Sequence, residues 1–429
     1  MHWQLMAVKQ IRLSSSRMRL SPSQAHRAPL KLSANLPCDN MNQRNYRNVL
    51  FISLSQFGMA FSFNFVMVFL PFFVHDISRY SSQETLIWVG FILGAPSFAA
   101  ALASTFWGSL TSRLSAKTLF LGGLVSHTVI ILLMGFISSF PVLLVLRIVQ
   151  GLLGGISTVG LIIVSSSSTS EWASRDIGLY QNSMTLGQLI GPPIGALAAN
   201  SLGYRGAFMS ASALVFVTVV FCFFYVQDLP NESREIAASK KNAMSRKALI
   251  GWGLCFIATV QLMFLPSVLP NVFQGFHMEE SMALKSAGVV VMLYTATAMV
   301  GTYLLCRLAV RVTTHRLIIA IGILGTVLQF LLSLSSGFTS FVAVRMLQTA
   351  LIAAIMPLVF STLASDLDGR EIGFLNSSRF AGNALGPMIG TSVLAYSSLN
   401  WLYFTIGSMS IIAIAGYALS FAEKRNTSG

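Results

Sequence analysis

Two arginines lie inside long apolar stretches of this 429-residue chain, and a glutamine follows each of them three positions later. The pairs are Arg147 with Gln150 and Arg345 with Gln348. A guanidinium inside a membrane costs about 3 kcal/mol or more unless it meets water or a polar partner. The pairs therefore predict a wet cavity in which an arginine binds an anionic group or biases a proton site. The alternative is that each side chain extends to the membrane surface.

A titratable group, His127, lies in the middle of another apolar stretch. Imidazole changes charge near neutral pH, so His127 could carry a coupling proton; a hydrogen-bonded packing histidine is the alternative. All 14 acidic residues fall in loops, tails or helix ends, and none lies mid-helix. Of these, Glu171 and Asp176 are the candidates for coupling or gating at the rim of the membrane region.

Polar side chains also share one face of a later apolar segment. Asn376, Arg379 and Asn383 are spaced by three and four residues, so they lie together on a helix. A polar stripe of this kind should line a cavity or a helix interface and not face lipid.

Aromatic residues accompany isolated polar groups in two further segments. Phe61, Asn64 and Phe65 form the first group, and Gln261 with Phe264 forms the second. Aromatic side chains pack against varied lipophilic molecules without strict geometry, which predicts a substrate cavity; ordinary packing of phenylalanine is the alternative.

The composition indicates a membrane protein with many spans. Apolar residues make up 54% of the chain and charged residues 10%, with a mean hydropathy of +0.70. A soluble domain carries about 25% charged residues. Four cysteines occur without a CxxC pair, and three of them lie in apolar segments, so we expect packing cysteines and no metal site or disulfide.

The apolar segments predict twelve membrane-spanning helices, each of roughly the 20 residues that a bilayer requires. They cover 48–71, 86–107, 118–138, 141–164, 177–199, 206–226, 248–270, 286–306, 317–335, 341–363, 373–395 and 401–421. The longest connection, 227–247, is charged and separates an N-terminal bundle, 48–226, from a C-terminal bundle, 248–421. A C-terminal tail, 422–429, follows the last helix.

Basic residues are distributed unevenly over this topology. With the N-terminus inside, 22 of the 28 Lys and Arg fall on cytoplasmic segments, three on outer loops and three within helices. Because loops rich in Lys and Arg stay in the cytoplasm, both termini are predicted to be cytoplasmic. The same distribution accounts for the net charge of +14, so no nucleic-acid partner is expected.

Residues 1–47 form a basic tail that is predicted to be disordered. Its first 40 residues hold six basic side chains and no long apolar run, which excludes a cleaved secretory signal. An organellar transit peptide fits the composition as an alternative. A third possibility is that translation starts at Met41, directly before the first apolar segment.

A glycine pattern repeats between the two predicted bundles. Gly187, Gly191 and Gly195 are spaced by four residues, and Pro192 follows the second of them. The pattern returns, 195 residues later, as Gly382, Gly386, Pro387 and Gly390. Each set predicts a bare helix face against which another helix packs closely. The repeat in register indicates a duplicated membrane protein.

These motifs resemble those of the major facilitator superfamily, and in particular its twelve-helix drug:proton antiporters of the bacterial multidrug efflux type. The stretch from Gly187 to Gly195 resembles the antiporter motif of helix 5, and Arg147-Ile-Val-Gln150-Gly151 resembles the motif of helix 4. The stretch from Trp107 to Lys117 resembles the motif of the loop between helices 2 and 3, with Gly108 and Arg113 in their places. Ser112 stands where that family has aspartate, which departs from the pattern of the usual latch between domains.

The resemblance implies two parallel-repeat six-helix bundles that work by alternating access, with helices 1, 4, 7 and 10 around a central cavity. It implies proton-coupled efflux of lipophilic or drug-like molecules across a bacterial inner membrane by a monomer, with a small-molecule substrate, protons and lipid as partners and no cofactor. The alternatives are uptake of a small metabolite, a facilitator, or a transporter-like sensor. Sequence motifs of nucleotide, zinc-protease or serine-hydrolase sites do not occur, so no enzyme activity is expected.

Overall fold

A computed structural model of the chain describes residues 38–110, 114–168, 172–227, 245–363 and 369–426. All regular structure within these ranges is helical. Most of the predicted tail 1–47 and of the linker 227–247 lies outside the described residues, as do Arg113 and Glu171.

Fourteen α-helices follow one another along the described parts of the chain. They are α1 Cys38–Asp76, α2 Ser82–Leu110, α3 Ala116–Met134, α4 Phe140–Leu152, α5 Ile156–Ser167, α6 Ala173–Tyr225, α7 Arg246–Met263, α8 Leu265–Gly275, α9 Glu280–Leu308, α10 Thr314–Leu331, α11 Phe338–Ile352, α12 Ile355–Leu363, α13 Gly369–Tyr396 and α14 Leu399–Asn426. Several are pieces of one broken span, so the number of helices exceeds the number of membrane crossings.

The described helices make twelve crossings. Nine helical segments are long and apolar enough to span a bilayer, and the pair α7–α8, bent by 42°, makes a tenth. Helix α6 has 53 residues, or about 80 Å, and is broken at Gly203, whose φ of 70° interrupts the helix; it therefore contributes two crossings. The twelfth is α13, whose polar residues lower its hydropathy. The predicted twelve-helix fold is confirmed.

Two of the predicted spans are broken where a single helix was expected. A 3₁₀ turn, Leu153–Gly155, joins α4 to α5, and a two-residue break separates α11 from α12. An even number of crossings places the start of α1 and the end of α14 on one side of the molecule, which we call the tail face. The other side, which carries the connection between α1 and α2, is the opposite face.

The helices of each half pack around apolar side chains, and two helix pairs form most of the contact between the halves. Helix α2 packs against α13, and α6 packs against α9. At the first contact a Cβ placed on Gly90 would lie 3.1 Å from the Cα of Met388. At the second, a Cβ on Gly288 would lie 2.9 Å from the carbonyl oxygen of Pro192. Both contacts lie nearer the opposite face, because Gly90 and Gly288 each follow their helix start there by eight residues.

The predicted glycine face of α6 packs against α1. A Cβ on Gly187 or Gly191 would lie 2.7 Å from the carbonyl oxygen of Phe57 or Phe61, respectively, and one on Gly195 would contact the carbonyl of Phe65. The side chains of these phenylalanines stack along α1 with ring centroids 5.7–5.9 Å apart. The bare glycine face thus lets the backbone of α1 approach α6 closely.

Candidate functional site

A cavity of about 220 Å³ lies among α1–α6 of the N-terminal half and α13 of the C-terminal half. Its apolar wall includes Met59, Phe63, Ile130, Met184 and Phe380. The polar part of the wall consists mainly of amide side chains; they belong to Gln56, Asn64, Gln150, Gln188 and Asn383. His127 also lines it, whereas no Asp, Glu, Lys or Arg does so among the described residues. The cavity therefore offers neutral hydrogen-bonding groups on an apolar surface.

Arg147 lies behind this wall and is fully buried, so it does not reach the membrane surface. Its Nη1 donates to Oε1 of Gln150 at 2.7 Å, and its Nε donates to the carbonyl oxygen of Ile92 at 3.0 Å. Its Nη2 contacts the sulfur of Met67 at 2.9 Å, and the ring of Phe63 lies 5.3 Å away. The guanidinium is thus held by main chain and neutral side chains, without an acidic partner in the described part of the chain.

Arg345 has a corresponding environment in the C-terminal half, where it is also fully buried. Its Nη1 donates to Oε1 of Gln348 at 2.8 Å and to the carbonyl oxygen of Gln261 at 2.9 Å. Its Nη2 donates to the carbonyl oxygen of Leu262 at 3.0 Å. The ring of Phe264 lies 5.2 Å from the guanidinium carbon. The two arginine–glutamine pairs of the sequence therefore perform the same local role in both halves.

Each arginine satisfies a carbonyl group that a proline leaves without its helical donor. Proline has no N–H, so the carbonyl four residues earlier loses its hydrogen bond. Pro96 in α2 leaves the carbonyl of Ile92 free, and Arg147 donates to it. Pro266, at the bend between α7 and α8, similarly leaves the carbonyl of Leu262 to Arg345. The arginines thereby tie the fourth and tenth spans to the proline positions of the second and seventh.

His127 continues the hydrogen-bonded chain that begins at Arg147. The Nε2 of Gln150 lies 3.2 Å from Nδ1 of His127, and the Nε2 of His127 lies 3.2 Å from the hydroxyl of Ser62. The Ser62 hydroxyl also lies 3.0 Å from the carbonyl oxygen of Met59. Since the Gln150 oxygen faces a guanidinium, its amide nitrogen must donate, which assigns Nδ1 of His127 as acceptor and Nε2 as the protonated nitrogen.

The C-terminal half replaces this histidine with glutamine. Gln348 donates through Nε2 to Oε1 of Gln329 and, at 3.2 Å, to Oε1 of Gln261. Gln261 in turn donates to the hydroxyl of Ser410. This half therefore contains a hydrogen-bonded network of the same pattern without a group that titrates near neutral pH.

The structure brings some of the predicted cavity residues together and places others elsewhere. Asn64, Gln150, His127 and Asn383 line the cavity. The remaining predicted residues do not; they are Phe61 and Phe65 in the α1–α6 contact, Arg147, Gln261, Phe264, Arg345 and Gln348 in the buried networks, and Asn376 and Arg379 with exposed side chains on α13. Sequence reasoning missed Gln56 and Gln188 as cavity residues, although Gln188 lies inside the glycine motif between Gly187 and Gly195.

The predicted gating residues lie at helix contacts. Pro192 and Pro387 lie where the two halves meet, against Gly288 and Gly90. In the second half, a Cβ on Gly382 would lie 2.5 Å from the Cβ of Thr259; one on Gly386 or Gly390 would lie 3.1–3.2 Å from the nearest atom of α7 or of the bend before α8. The approaches at Gly386 and Gly390 are looser than those of Gly187, Gly191 and Gly195, whereas Gly382 is as closely approached, by a side chain.

The tail-face motif residues are described in part. Gly108 lies in the last turn of α2. Trp107, just before it, donates from Nε1 to the carbonyl oxygen of Leu152 at 2.7 Å. Asp176 is buried and accepts a hydrogen bond from the Ser168 hydroxyl at 2.7 Å, which joins the end of α5 to the start of α6.

Two bundles of membrane-spanning helices around a cavity are the architecture of a membrane transporter. The sequence profile of the Major Facilitator Superfamily matches residues 52–284 and 251–429. The chain therefore belongs to the major facilitator superfamily, and it is a transporter and not an enzyme.

Its relatives include proteins named for drug resistance. The multidrug resistance protein MdtG of Rahnella sp. (strain Y9602) is 24% identical over 398 residues, which cover 89% of this chain and 95% of the relative. The uncharacterized MFS-type transporter YuxJ of Bacillus subtilis is 23% identical, with 82% and 92% covered.

Among solved structures, a bacterial homologue of the human lysosomal transporter Spinster, in an inward-facing and occupied conformation, superposes with a TM-score of 0.71. It has 14% identity and covers 87% of this chain and 96% of its own. The human organic anion transporter MFSD10 superposes with a TM-score of 0.61, at 17% identity, with 87% and 99% covered. At these identities the likeness establishes the fold alone.

Proposed function

We propose that the protein is a secondary active transporter that works by alternating access and exports lipophilic or drug-like small molecules in exchange for protons. The observation that carries the proposal is the cavity whose apolar and amide wall includes a hydrogen-bonded histidine. The names of the MdtG relatives support efflux of this substrate class. The proposal places the protein in the bacterial inner membrane with the tail face in the cytoplasm, because basic residues concentrate on that side.

Alternating access needs two bundles that separate on one face at a time. The halves meet near the opposite face through Gly90 and Gly288, whereas the cavity is lined by residues such as Pro96 and Ala100, which follow Gly90 along α2 towards the tail face. This arrangement corresponds to closure on the opposite face. Rocking about the cavity would open the contacts of Gly90 and Gly288 and release the substrate there.

His127 is the proposed coupling group, and the polarity of its hydrogen bonds supplies a mechanism. Adding a proton at Nδ1 would set an N–H of the ring against the N–H of Gln150. The repulsion between these two donors is relieved if Gln150 turns its amide, and this rotation withdraws Oε1 from the guanidinium of Arg147. Because Arg147 also bonds the carbonyl of Ile92 in α2, protonation at the cavity would be transmitted to a helix at the contact between the halves.

A drug-susceptibility panel with and without expression tests the function. Resistance that depends on expression would support efflux. Counterflow and pH-gradient-driven transport in proteoliposomes then separate an antiporter from a facilitator, since only the antiporter accumulates substrate against its gradient. Wild-type transport that does not depend on the proton gradient would contradict the coupling, and the absence of both resistance and counterflow would contradict efflux.

A further inference from the structure

Two amides face the cavity from opposite halves and have no assigned role. Gln188 lies on α6 and Asn383 on α13, and they are separated by the 195 residues of the internal repeat. Both are partly exposed to the cavity. Within the part of the chain that the structure describes, neither side chain has a hydrogen-bond partner, whereas Gln56, Asn64 and Gln150 all do. The repeat therefore presents one free amide from each bundle.

The main chain at these two positions is also special. Gln188 precedes Pro192 by four residues, and Asn383 precedes Pro387 by four. Each proline lacks the N–H that would donate the helical hydrogen bond, so the carbonyl groups of Gln188 and Asn383 lose their ordinary donors. Each position therefore combines an unpaired amide side chain with a main-chain acceptor that the helix does not satisfy. Unsatisfied groups of this kind gain most from a polar ligand.

The charges around the cavity restrict what can bind. Among the described residues, no carboxylate lines the wall, and Arg147 lies behind it without an acidic partner. A permanent cation would therefore meet a guanidinium and no counter-charge. An anion would gain little, because the guanidinium already donates to the carbonyl of Ile92 and to Gln150 and contacts Met67.

We propose that Gln188 and Asn383 form a two-sided clamp for uncharged amphipathic molecules that carry both hydrogen-bond donors and acceptors, and that the site discriminates against permanent lipophilic cations. The apolar part of such a molecule packs on Met59, Phe63 and Phe380. Because one arm of the clamp belongs to each bundle, a bound molecule links the two bodies. This substrate class rests on the proposed transport function.

Binding to the purified full-length protein in lipid nanodiscs tests the clamp independently of transport. The probes are radiolabelled chloramphenicol, which is uncharged and carries an amide and hydroxyl groups, and tetraphenylphosphonium and tetraphenylborate, which share a shape and differ in charge. Wild-type protein should bind chloramphenicol more tightly than either ion. Tighter binding of either ion, or no binding of chloramphenicol, would overturn the inference.

Variants locate the site. Gln188→Leu and Asn383→Leu keep the side-chain volume and remove the amide, and each should weaken chloramphenicol binding about 2- to 10-fold, as expected for one lost hydrogen bond. Asn182→Leu is the matched control, since Asn182 is an exposed amide on α6 outside the cavity wall, and its affinity should equal that of wild type. Unchanged binding in both Gln188→Leu and Asn383→Leu would overturn the clamp.

A charge substitution gives a gain of binding. Gln188→Glu places a carboxylate in the cavity and should raise the affinity for tetraphenylphosphonium while lowering that for tetraphenylborate. The same affinities as in wild type would overturn the placement of Gln188. If these binding results hold but counterflow is absent, the proposed transport function is contradicted and the clamp is supported. If counterflow of tetraphenylphosphonium exceeds that of chloramphenicol, the clamp is contradicted and the transport function is supported.

Discussion

His127 is the residue at which proton chemistry and the arginine network meet. Its ring lies between Gln150 and Ser62, and the equivalent network around Gln348 holds only amides and a hydroxyl. We expect His127→Gln to retain counterflow of substrate, because an amide can also bridge Gln150 and Ser62. It should lose accumulation driven by a pH gradient, because glutamine does not titrate.

Two acidic variants serve as controls for this prediction. Asp176→Asn and Glu171→Gln remove the two carboxylates that the sequence offers as coupling candidates, and uphill transport should survive both. Transport is measured in proteoliposomes with an imposed proton gradient. Full accumulation by His127→Gln would exclude the histidine as the coupling group, and loss of accumulation in Asp176→Asn would move the coupling site to the tail face.

At the scale of helices, Pro96 of α2 and the side chain of Arg147 act together on the carbonyl of Ile92. Arg147→Lys should leave the buried carbonyl of Ile92 without a donor, at a cost of about 1–3 kcal/mol. Pro96→Ala restores an N–H at position 96, so Arg147→Lys should cost less in that background. The double-mutant cycle in unfolding free energy should therefore show a coupling of about 1 kcal/mol or more.

The C-terminal half offers an equivalent double-mutant cycle, and a third proline serves as a control. Pro266→Ala with Arg345→Lys should couple in the same way, because Arg345 donates to the carbonyl of Leu262. The loss of unfolding free energy in Pro387→Ala should simply add to that in Arg147→Lys, since Arg147 has no contact with Pro387. Additive behaviour of Pro96→Ala and Arg147→Lys would show that the arginine does not stabilise the carbonyl that Pro96 leaves without a donor.

The glycine faces of the two halves should differ in their tolerance of a methyl group. A Cβ on Gly191 would lie 2.7 Å from a carbonyl oxygen of α1, whereas one on Gly386 would lie 3.1 Å from the Cβ of Met263. A contact below 3.0 Å requires the helices to shift, whereas one of 3.1 Å is relieved by a displacement of a few tenths of an ångström. We expect Gly191→Ala to destabilise by about 1–3 kcal/mol and Gly386→Ala by less, measured as thermal unfolding in detergent. Equal losses would contradict the asymmetry.

The sequence predicts the helices and the repeat because both depend on local patterns. Apolar segments of spanning length and glycines four residues apart are visible along one chain, and the structure confirms the twelve crossings. The partner of each buried arginine was not predictable, because Ile92 and Leu262 offer main-chain atoms that no side-chain pattern marks. The signal that was available is a proline four residues after each carbonyl, which identifies an acceptor in need of a donor.

The cavity was harder to predict because it depends on how helices from two halves approach each other. Asn376 and Arg379 share a helix face with Asn383, yet only Asn383 lines the cavity. Spacing along one helix fixes which residues share a face but not how far along its length the neighbouring bundle lies. Gln188 was hidden for a similar reason, since it lies within a motif whose glycines face α1.

At the scale of the whole molecule, alternating access requires the two faces to open in opposite phase. Two pairs of exposed positions in opposite halves can report this motion when each is labelled with a spin probe. Leu114 and Val310 lie on connections of the tail face, and Leu202 and Tyr396 lie at helix ends on the opposite face. The labels require a background without the four native cysteines, and transport must first be shown to survive in that background.

The bundles contact each other near the opposite face at Gly90 and Gly288, so the Leu202–Tyr396 distance should be short in the resting protein. Conditions that favour release should lengthen it and shorten the Leu114–Val310 distance, because the halves rotate as rigid bodies about the cavity. Double electron–electron resonance measures both distributions. Changes in the same direction would indicate breathing of the whole fold, and no change under ligand or pH would mean that substrate and proton do not select between conformations of this transporter.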